Sequence, residues 1–337
     1  MKKKLRVLLF ANENSQFSKL HLLKLLVQCQ VELIGIITNH NQSLSSKRIK
    51  FVSFYNFFKR VQDRIKFELD VFPLKLQTLF FNYKSIRIMH PNNLTDKLAS
   101  EIVLMNPDLI ISAGYYQKIP NFILKIPNIG SFNFHPSLLP AYAGGNPWFW
   151  VIAKGEKYTG VSVHSMTSVY DAGDIVLQKR IKVATGATEQ YLFNLTTVAS
   201  IALIPIFIKI CIKGNFPMKV QNLSKRSYYS KVTDLDRKIN WYENAESIKN
   251  LIQACLSGFG AWTEIGDKRL WINKVNIGKE INEKFKRGTV IKIDSKGIAV
   301  ATNDKVLLII VGIVNERRMT HLDLVKKLRI NEGDIFN

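Results

Sequence analysis

"LRVLLFANENSQFSKLHLLKLLVQCQVELIGIIT", residues 5–38, decides the fold class. Residues 5–11 are short and, Arg6 apart, apolar, the pattern of a buried strand. Residues 18–29 carry leucines at helical spacing, and residues 31–38, "VELIGIIT", return as a strand. Strand, helix and strand within this length predict a parallel α/β sheet with flanking helices, Rossmann-like in its winding. The loop after the first strand reads "ANENSQFS" and holds neither GxGxxG nor GxxxxGK[ST], which argues against a dinucleotide or P-loop nucleotide site.

The same pattern continues downstream. Residues 95–106 read as a helix with Thr95 at its N-cap, and residues 107–115 and 129–135 as strands. In such sheets ligands bind beyond the carboxyl ends of the strands. The last strand leads into "GSFNFHPSLLPAYAGGNPWFW", residues 130–150. Side chains at i and i+2 share a face, so Asn133 and His135 stand together while Phe132 and Phe134 face the opposite layer. Pro136 lacks an N–H and ends the strand. Two polar groups at the exit of an apolar strand mark a candidate site. The following "GGNPWFW" reads as a Gly-hinged loop that packs its aromatics, or as one that offers Trp148 or Trp150 to a flat acceptor.

Residues 159–178, "TGVSVHSMTSVYDAGDIVLQ", begin as an alternating strand and pass into a turn rich in acid and glycine. Asp171 in this turn can fold back toward His135. An imidazole oriented by a carboxylate, with an amide donor beside it, suits acyl transfer to an amine: the two donors can bear a developing oxyanion. His164 alternates within its strand and reads as structural. His21, His40, His90 and His321 read as packing or surface residues.

The whole chain has 337 residues, room for two domains with cores of their own. The expected boundaries are 1–214 for a catalytic domain, 215–228 for a polar, basic linker, and 229–337 for a second domain. In the last, a helix (244–256) precedes five short strands and a closing helix (320–329), which predicts a small OB-like β-barrel. Cys29, Cys211 and Cys255 lie far apart, without disulfide or zinc spacing, so no metal is expected and a reducing, cytoplasmic setting is. Residues 198–213 are apolar but interrupted by Pro205 and Lys209, and fall short of the ~20 residues of a span. They read as a buried helix, with no membrane partner.

The net charge is +22, divided as 26 basic against 12 acidic residues up to residue 214 and 22 against 14 beyond it. Such a diffuse positive field steers polyanions, RNA among them. Residues 47–66 hold seven basic residues and one acid among aromatics. They read either as a nucleic-acid contact or as an amphipathic helix.

"NFHPSLLP", "TGVSVH" and "YDAGDIV" together resemble the folate-dependent formyltransferase family. The resemblance implies transfer of a formyl group from 10-formyltetrahydrofolate to an amine. It implies a catalytic trio at Asn133, His135 and Asp171, a folate-contacting run at Ser137, Leu138, Leu139 and Pro140, and a second acid at Asp174, either structural or on the pterin side of the cofactor site. "DRKINW" (236–241), "GFGAWT" and "KRLWI" resemble the carboxyl-terminal domain of the members that act on methionyl-tRNA. The implied acceptor is the methionyl amine of initiator methionyl-tRNA; the alternative is a nucleotide-linked amino sugar. The chain departs from the methionyl-tRNA enzymes at "ANENSQFS", at "AYAGGNPWFW" and in the loop after the second strand.

Overall fold

A computed structural model describes residues 4–38, 86–281 and 285–337. Residues 47–66, read above as a nucleic-acid contact or an amphipathic helix, lie outside the described residues. The chain divides into two compact units. One is built from residues up to Phe134 with Ser165–Ser168 and Ile204–Phe216. The other is built from His135–His164, Val169–Leu203 and Pro217–Asn337.

In the first unit, strands β1 (Leu5–Ala11), β2 (Val31–Thr38), β3 (Arg87–Met89), β4 (Leu109–Ala113) and β5 (Gly130–His135) run parallel in the order β3-β2-β1-β4-β5. Val7, Leu8, Leu9 and Phe10 are all buried, as befits a parallel sheet covered on both faces. Helix Gln16–Leu26 starts at Ser15, whose side chain accepts from Ser18 N. Helix Asp96–Met105 starts at Thr95 as expected, but the threonine makes no side-chain capping bond. Ile102 of this helix joins Leu8, Phe10, Ile37, Ile110 and Ile123 in one core. His21 is fully buried beside Phe17 and Phe134, and its Nδ1–H donates to Phe17 O at 2.7 Å. Burial outweighs that bond and pushes its pKa down to about 4.

In the second unit, β7 (Tyr158–Ser165) pairs antiparallel with β8 (Ile175–Lys182), placing Ser162 opposite Gln178. The carboxyl-terminal part is an antiparallel sheet of β10 (Ala261–Ile265), β11 (Lys268–Glu280), β12 (Val290–Asp294), β13 (Gly297–Ala301) and β14 (Lys305–Val314), ordered β10-β11-β14-β13-β12. A sixth strand, β15 (Arg317–Thr320), pairs with β14. Its residues are nearly all exposed, so it lacks the apolar period by which the other five are legible. Helices Ala245–Ala254 and His321–Leu328 close the core against Trp241, Ile272, Val300, Leu307, Ile309 and Phe336.

"NPWFW" forms a helix, Pro147–Ala153, whose Phe149 and Ile152 belong to that same core. Trp148 packs on Phe193 and donates to Thr196 Oγ1 at 2.7 Å, while Trp150 stacks on Tyr229 at 4.6 Å between ring centres. Of the two readings of this stretch, packing describes it. Helix Glu189–Lys213 is longer than the apolar run suggested. By length and composition it could cross a membrane, and half of its most apolar window is buried inside the protein. Its buried residues, among them Leu192, Thr196, Ala199, Leu203, Ile204, Phe207 and Cys211, recur at helical spacing, while Val198, Ile206 and Ile212 on its remaining surface are exposed.

Candidate active site

His135 ends β5, as Pro136 requires, and is only 5% exposed. Asn133 stands two residues earlier on the same strand and is partly exposed. After His135 the chain turns at once: Ser137 N donates to His135 O, and Ser137 Oγ to Ala141 O, both at 2.9 Å. Ser162 Oγ of β7 donates to Ser137 O (2.7 Å) and accepts from Leu139 N (3.1 Å) and Gln178 Nε2 (2.8 Å). Gln178 Nε2 also donates to Leu139 O at 2.9 Å. The Ser137 and Leu139 side chains are thereby turned inward, and Leu138 and Pro140 stay partly exposed. Gly160 leaves the room for this loop: a Cβ there would collide with Leu138 and with Lys179 O.

Asp171 sits in the turn between β7 and β8 with φ +53°. Its Oδ2 accepts from Gly144 N at 2.8 Å and lies 3.6 Å from His135 Nδ1. Its Oδ1 lies 3.4 Å from His164 Nε2. His164 is 1% exposed. The strand pattern marked it as structural, and the structure brings it to the carboxylate as a second imidazole. Burial alone would raise the Asp171 pKa. The charge of His135, the hydrogen bond and charge of His164 and the Gly144 N–H outweigh it and hold the carboxyl well below the usual range. Asp174, three residues on, is partly buried.

The other nitrogen of His135, Nε2, donates to Tyr142 O at 2.9 Å. Both ring nitrogens therefore face acceptors, an arrangement that a doubly protonated ring satisfies. Tyr142 presents this carbonyl from a left-handed conformation, φ +58°, and its hydroxyl donates to Glu156 Oε1 at 2.7 Å. Burial first, and then Glu156, push the Tyr142 hydroxyl pKa far up.

Residues 215–228, expected as a linker, do not hang free. Tyr228–Tyr229 forms a two-residue strand, β9, paired in parallel with β6 (Ala143–Gly144) just beyond Tyr142. Gly144 permits this contact: its φ is +95°, and a Cβ there would strike Tyr229 O. Among the described residues no group of three His, Cys, Asp or Glu side chains is arranged to hold a metal ion.

Two family patterns match the chain: formyl transferase over residues 5–205, and formyl transferase, C-terminal domain, over residues 231–329. This chain belongs to the formyl transferase family. It is a formyl-transferring enzyme, and the Rossmann-like sheet followed by an all-β domain is the fold of that family. A methionyl-tRNA formyltransferase of Clostridioides difficile (strain 630) is 31% identical over 255 residues, 74% of this chain and 81% of that protein. Among solved structures, an N-formyltransferase from Helicobacter canadensis, crystallised with folinic acid and dTDP-3-aminofucose, superposes with a TM-score of 0.58 at 18% identity. It covers 91% of this chain and 99% of that one. HypX from Aquifex aeolicus in complex with tetrahydrofolic acid gives a TM-score of 0.53 at 15% identity, over 99% of this chain. The formyltransferase described here spans about half, 51%, of the length of that HypX chain.

Proposed function

We propose that this formyltransferase moves the formyl group of 10-formyltetrahydrofolate to the amino group of initiator methionyl-tRNA. The observation that carries the acceptor is the likeness at about 30% identity, over most of both chains, to proteins named methionyl-tRNA formyltransferase. The net charge of +22 supports it, because an RNA acceptor is a polyanion. The folate co-substrate is supported by the family and by the tetrahydrofolic acid and folinic acid with which two structures of the same fold were crystallised.

In this reading the acceptor's free amine attacks the formyl carbon and forms the new C–N bond. The formyl oxygen gains the negative charge and takes hydrogen bonds from the Asn133 amide and from His135 Nε2–H, which is released from Tyr142 O. On collapse the bond to the folate N10 breaks, and the proton of the attacking nitrogen ends on N10. Asp171, kept ionised, orients His135 and balances its positive charge. Ser137, Leu138, Leu139 and Pro140 shape the folate side of the site, with Asp174 beyond them. One oxyanion donor is worth about 3–4 kcal/mol, so Asn133→Ala costs on the order of a hundredfold or more in kcat.

The decisive experiment offers the enzyme charged initiator tRNA and a panel of nucleotide-linked amino sugars, with 10-formyltetrahydrofolate as donor. Formylmethionyl-tRNA is the expected product. Affinity for tRNA should fall with salt at a log–log slope of roughly 0.9 per phosphate contacted. Formylated amino sugar, together with no tRNA binding at low salt, would replace this acceptor with the alternative.

A further inference from the structure

We propose that Lys219–Val232 is a positioning element of the active site, in which Gln221 fixes the Asp171 turn and Ser227 fixes the loop that carries the Tyr142 carbonyl. The proposal rests on the catalytic reading of His135 and Asp171 given above.

Burial singles out Gln221. From Ile212 to Lys238 every other residue is exposed or only partly buried, whereas Gln221 is 6% exposed. A polar side chain buried in an otherwise solvated stretch needs hydrogen-bonding partners. Gln221 Nε2 donates to Asp171 O at 2.8 Å and to Gly173 O at 2.6 Å. Two carbonyls fix the orientation of the amide, since the reverse would set its oxygen against both. Its Oε1 is left buried with no partner among the described residues. The side chain therefore sacrifices an acceptor in order to hold two carbonyls of the catalytic turn.

The rest of the segment repeats the pattern. Lys219 and Ile175 exchange both backbone hydrogen bonds at 2.9 Å, just past Asp174. Arg226 Nη2 donates to Tyr170 O at 3.0 Å. The carbonyls of Tyr170, Asp171 and Gly173 are thus all held by one segment, around a non-glycine residue in the left-handed region. Such a conformation persists only where its surroundings enforce it. Further along, Ser227 Oγ accepts from Tyr142 N at 2.8 Å, Ser227 O from Ala143 N at 2.9 Å and Tyr229 O from Gly145 N at 2.8 Å. Val232 N donates to Asn146 Oδ1 at 3.2 Å. Tyr142 O is the acceptor for His135, and Gly144 N is the donor to Asp171. The Asp171 turn is thus tied to the first part of the fourteen-residue strap, and the loop that carries both the acceptor for His135 and a donor to Asp171 is tied to its last part.

The test compares Gln221→Met, which keeps the length and removes both donors, with wild type and Asp171→Asn, in formyl transfer well below the melting temperature of each protein. A misplacement of about an ångström at a catalytic group costs up to a hundredfold, so Gln221→Met should lose on the order of ten- to a hundredfold in kcat. KM for folate and acceptor should stay within about twofold, because neither ligand is asked to touch Gln221. Gln221→Lys, which restores a donor without the acceptor, should recover much of the loss. A merely structural role would lower the melting temperature and leave kcat of the folded protein unchanged; that result overturns the proposal. An inactive Asp171→Asn beside a fully active Gln221→Met rejects the strap alone, whereas an active Asp171→Asn rejects the catalytic reading with it. If Gln221→Met does not fold, Ser227→Ala is read in its place: it loses the Tyr142 N–H contact, a several-fold fall in kcat is expected, and unchanged kcat overturns the proposal.

Discussion

His164 Nε2 stands 3.4 Å from Asp171 Oδ1, across the carboxylate from the oxygen that faces His135 Nδ1 at 3.6 Å. One buried carboxylate is shared by two imidazoles. His135 continues the strand that carries Asn133, whereas His164 has its neighbours on β7. Under the proposed mechanism His164 would hold Asp171 in place, and its hydrogen bond and charge help keep that carboxyl below the usual range.

Replacing His164 by leucine should therefore raise the Asp171 pKa, because burial remains while one of the opposing contributions disappears. The acid limb of the kcat profile should move to higher pH, and kcat at neutral pH should fall about tenfold, the worth of one charge-assisted hydrogen bond. His164→Gln, which keeps an N–H donor, should recover part of this. Superimposable pH–rate profiles for His164→Leu and wild type would remove His164 from the mechanism.

Asp171 also links stability to acidity. An unfolded chain binds its proton near the ordinary value of 3.8, and the folded site resists protonation until the pH is lower. The stabilisation is therefore complete above about pH 3.8 and is lost as the pH falls from there toward the depressed folded value. Breaking such a buried pair costs about 3–5 kcal/mol, so Asp171→Asn should be less stable than wild type by that order at pH 5. Urea melts at successively lower pH should show the gap closing below 3.8. A gap that stays constant to pH 2.5 would mean that the ionised carboxylate does not stabilise the fold.

The legible parts of this protein were those with an apolar period or a turn signal. β1, β2 and β4 are short and mostly apolar, and β5 ends at His135 because a proline follows. The acid–glycine turn at Asp171 was readable for the same reason. His164 was hidden because an inward residue of an alternating strand reads as packing, and no spacing reveals that the inward neighbour is a carboxylate. The helix Pro147–Ala153 was masked by the glycines and proline that precede its aromatics. The 215–228 segment has no apolar period at all, since its order comes from backbone groups and one buried amide. Linker composition and strap composition are the same composition.

His21 offers a test of the first unit's core. Its folded pKa is lowered from 6.5 to about 4 by burial, so between those values the unfolded chain binds a proton that the folded one refuses. Stability should fall as the pH drops through this window, by up to about 3 kcal/mol. His21→Met removes the titration and should flatten that part of the profile, measured by denaturant melts at pH 7, 5.5 and 4. An equally steep loss in the variant would assign the acid sensitivity to other groups.

Gly144 separates close approach from backbone strain. Gly144 and Gly186 both hold positive φ, +95° and +73°, but a Cβ at Gly186 meets nothing within 4 Å. Gly186→Ala should then show the strain alone, about 1–2 kcal/mol for an L-residue in the left-handed region. At Gly144 the added methyl would also collide with Tyr229 O and press within 2.9 Å of the Tyr228 ring. To admit it, β9 must move off β6, an overpacking cost of about 1–3 kcal/mol more. The same displacement carries away the Gly144 N–H that donates to Asp171 Oδ2. Gly144→Ala should therefore lose both stability and kcat, whereas Gly186→Ala should lose stability only. Equal melting temperatures with full turnover in both variants would show that the approach of the strap to Gly144 is neither tight nor required.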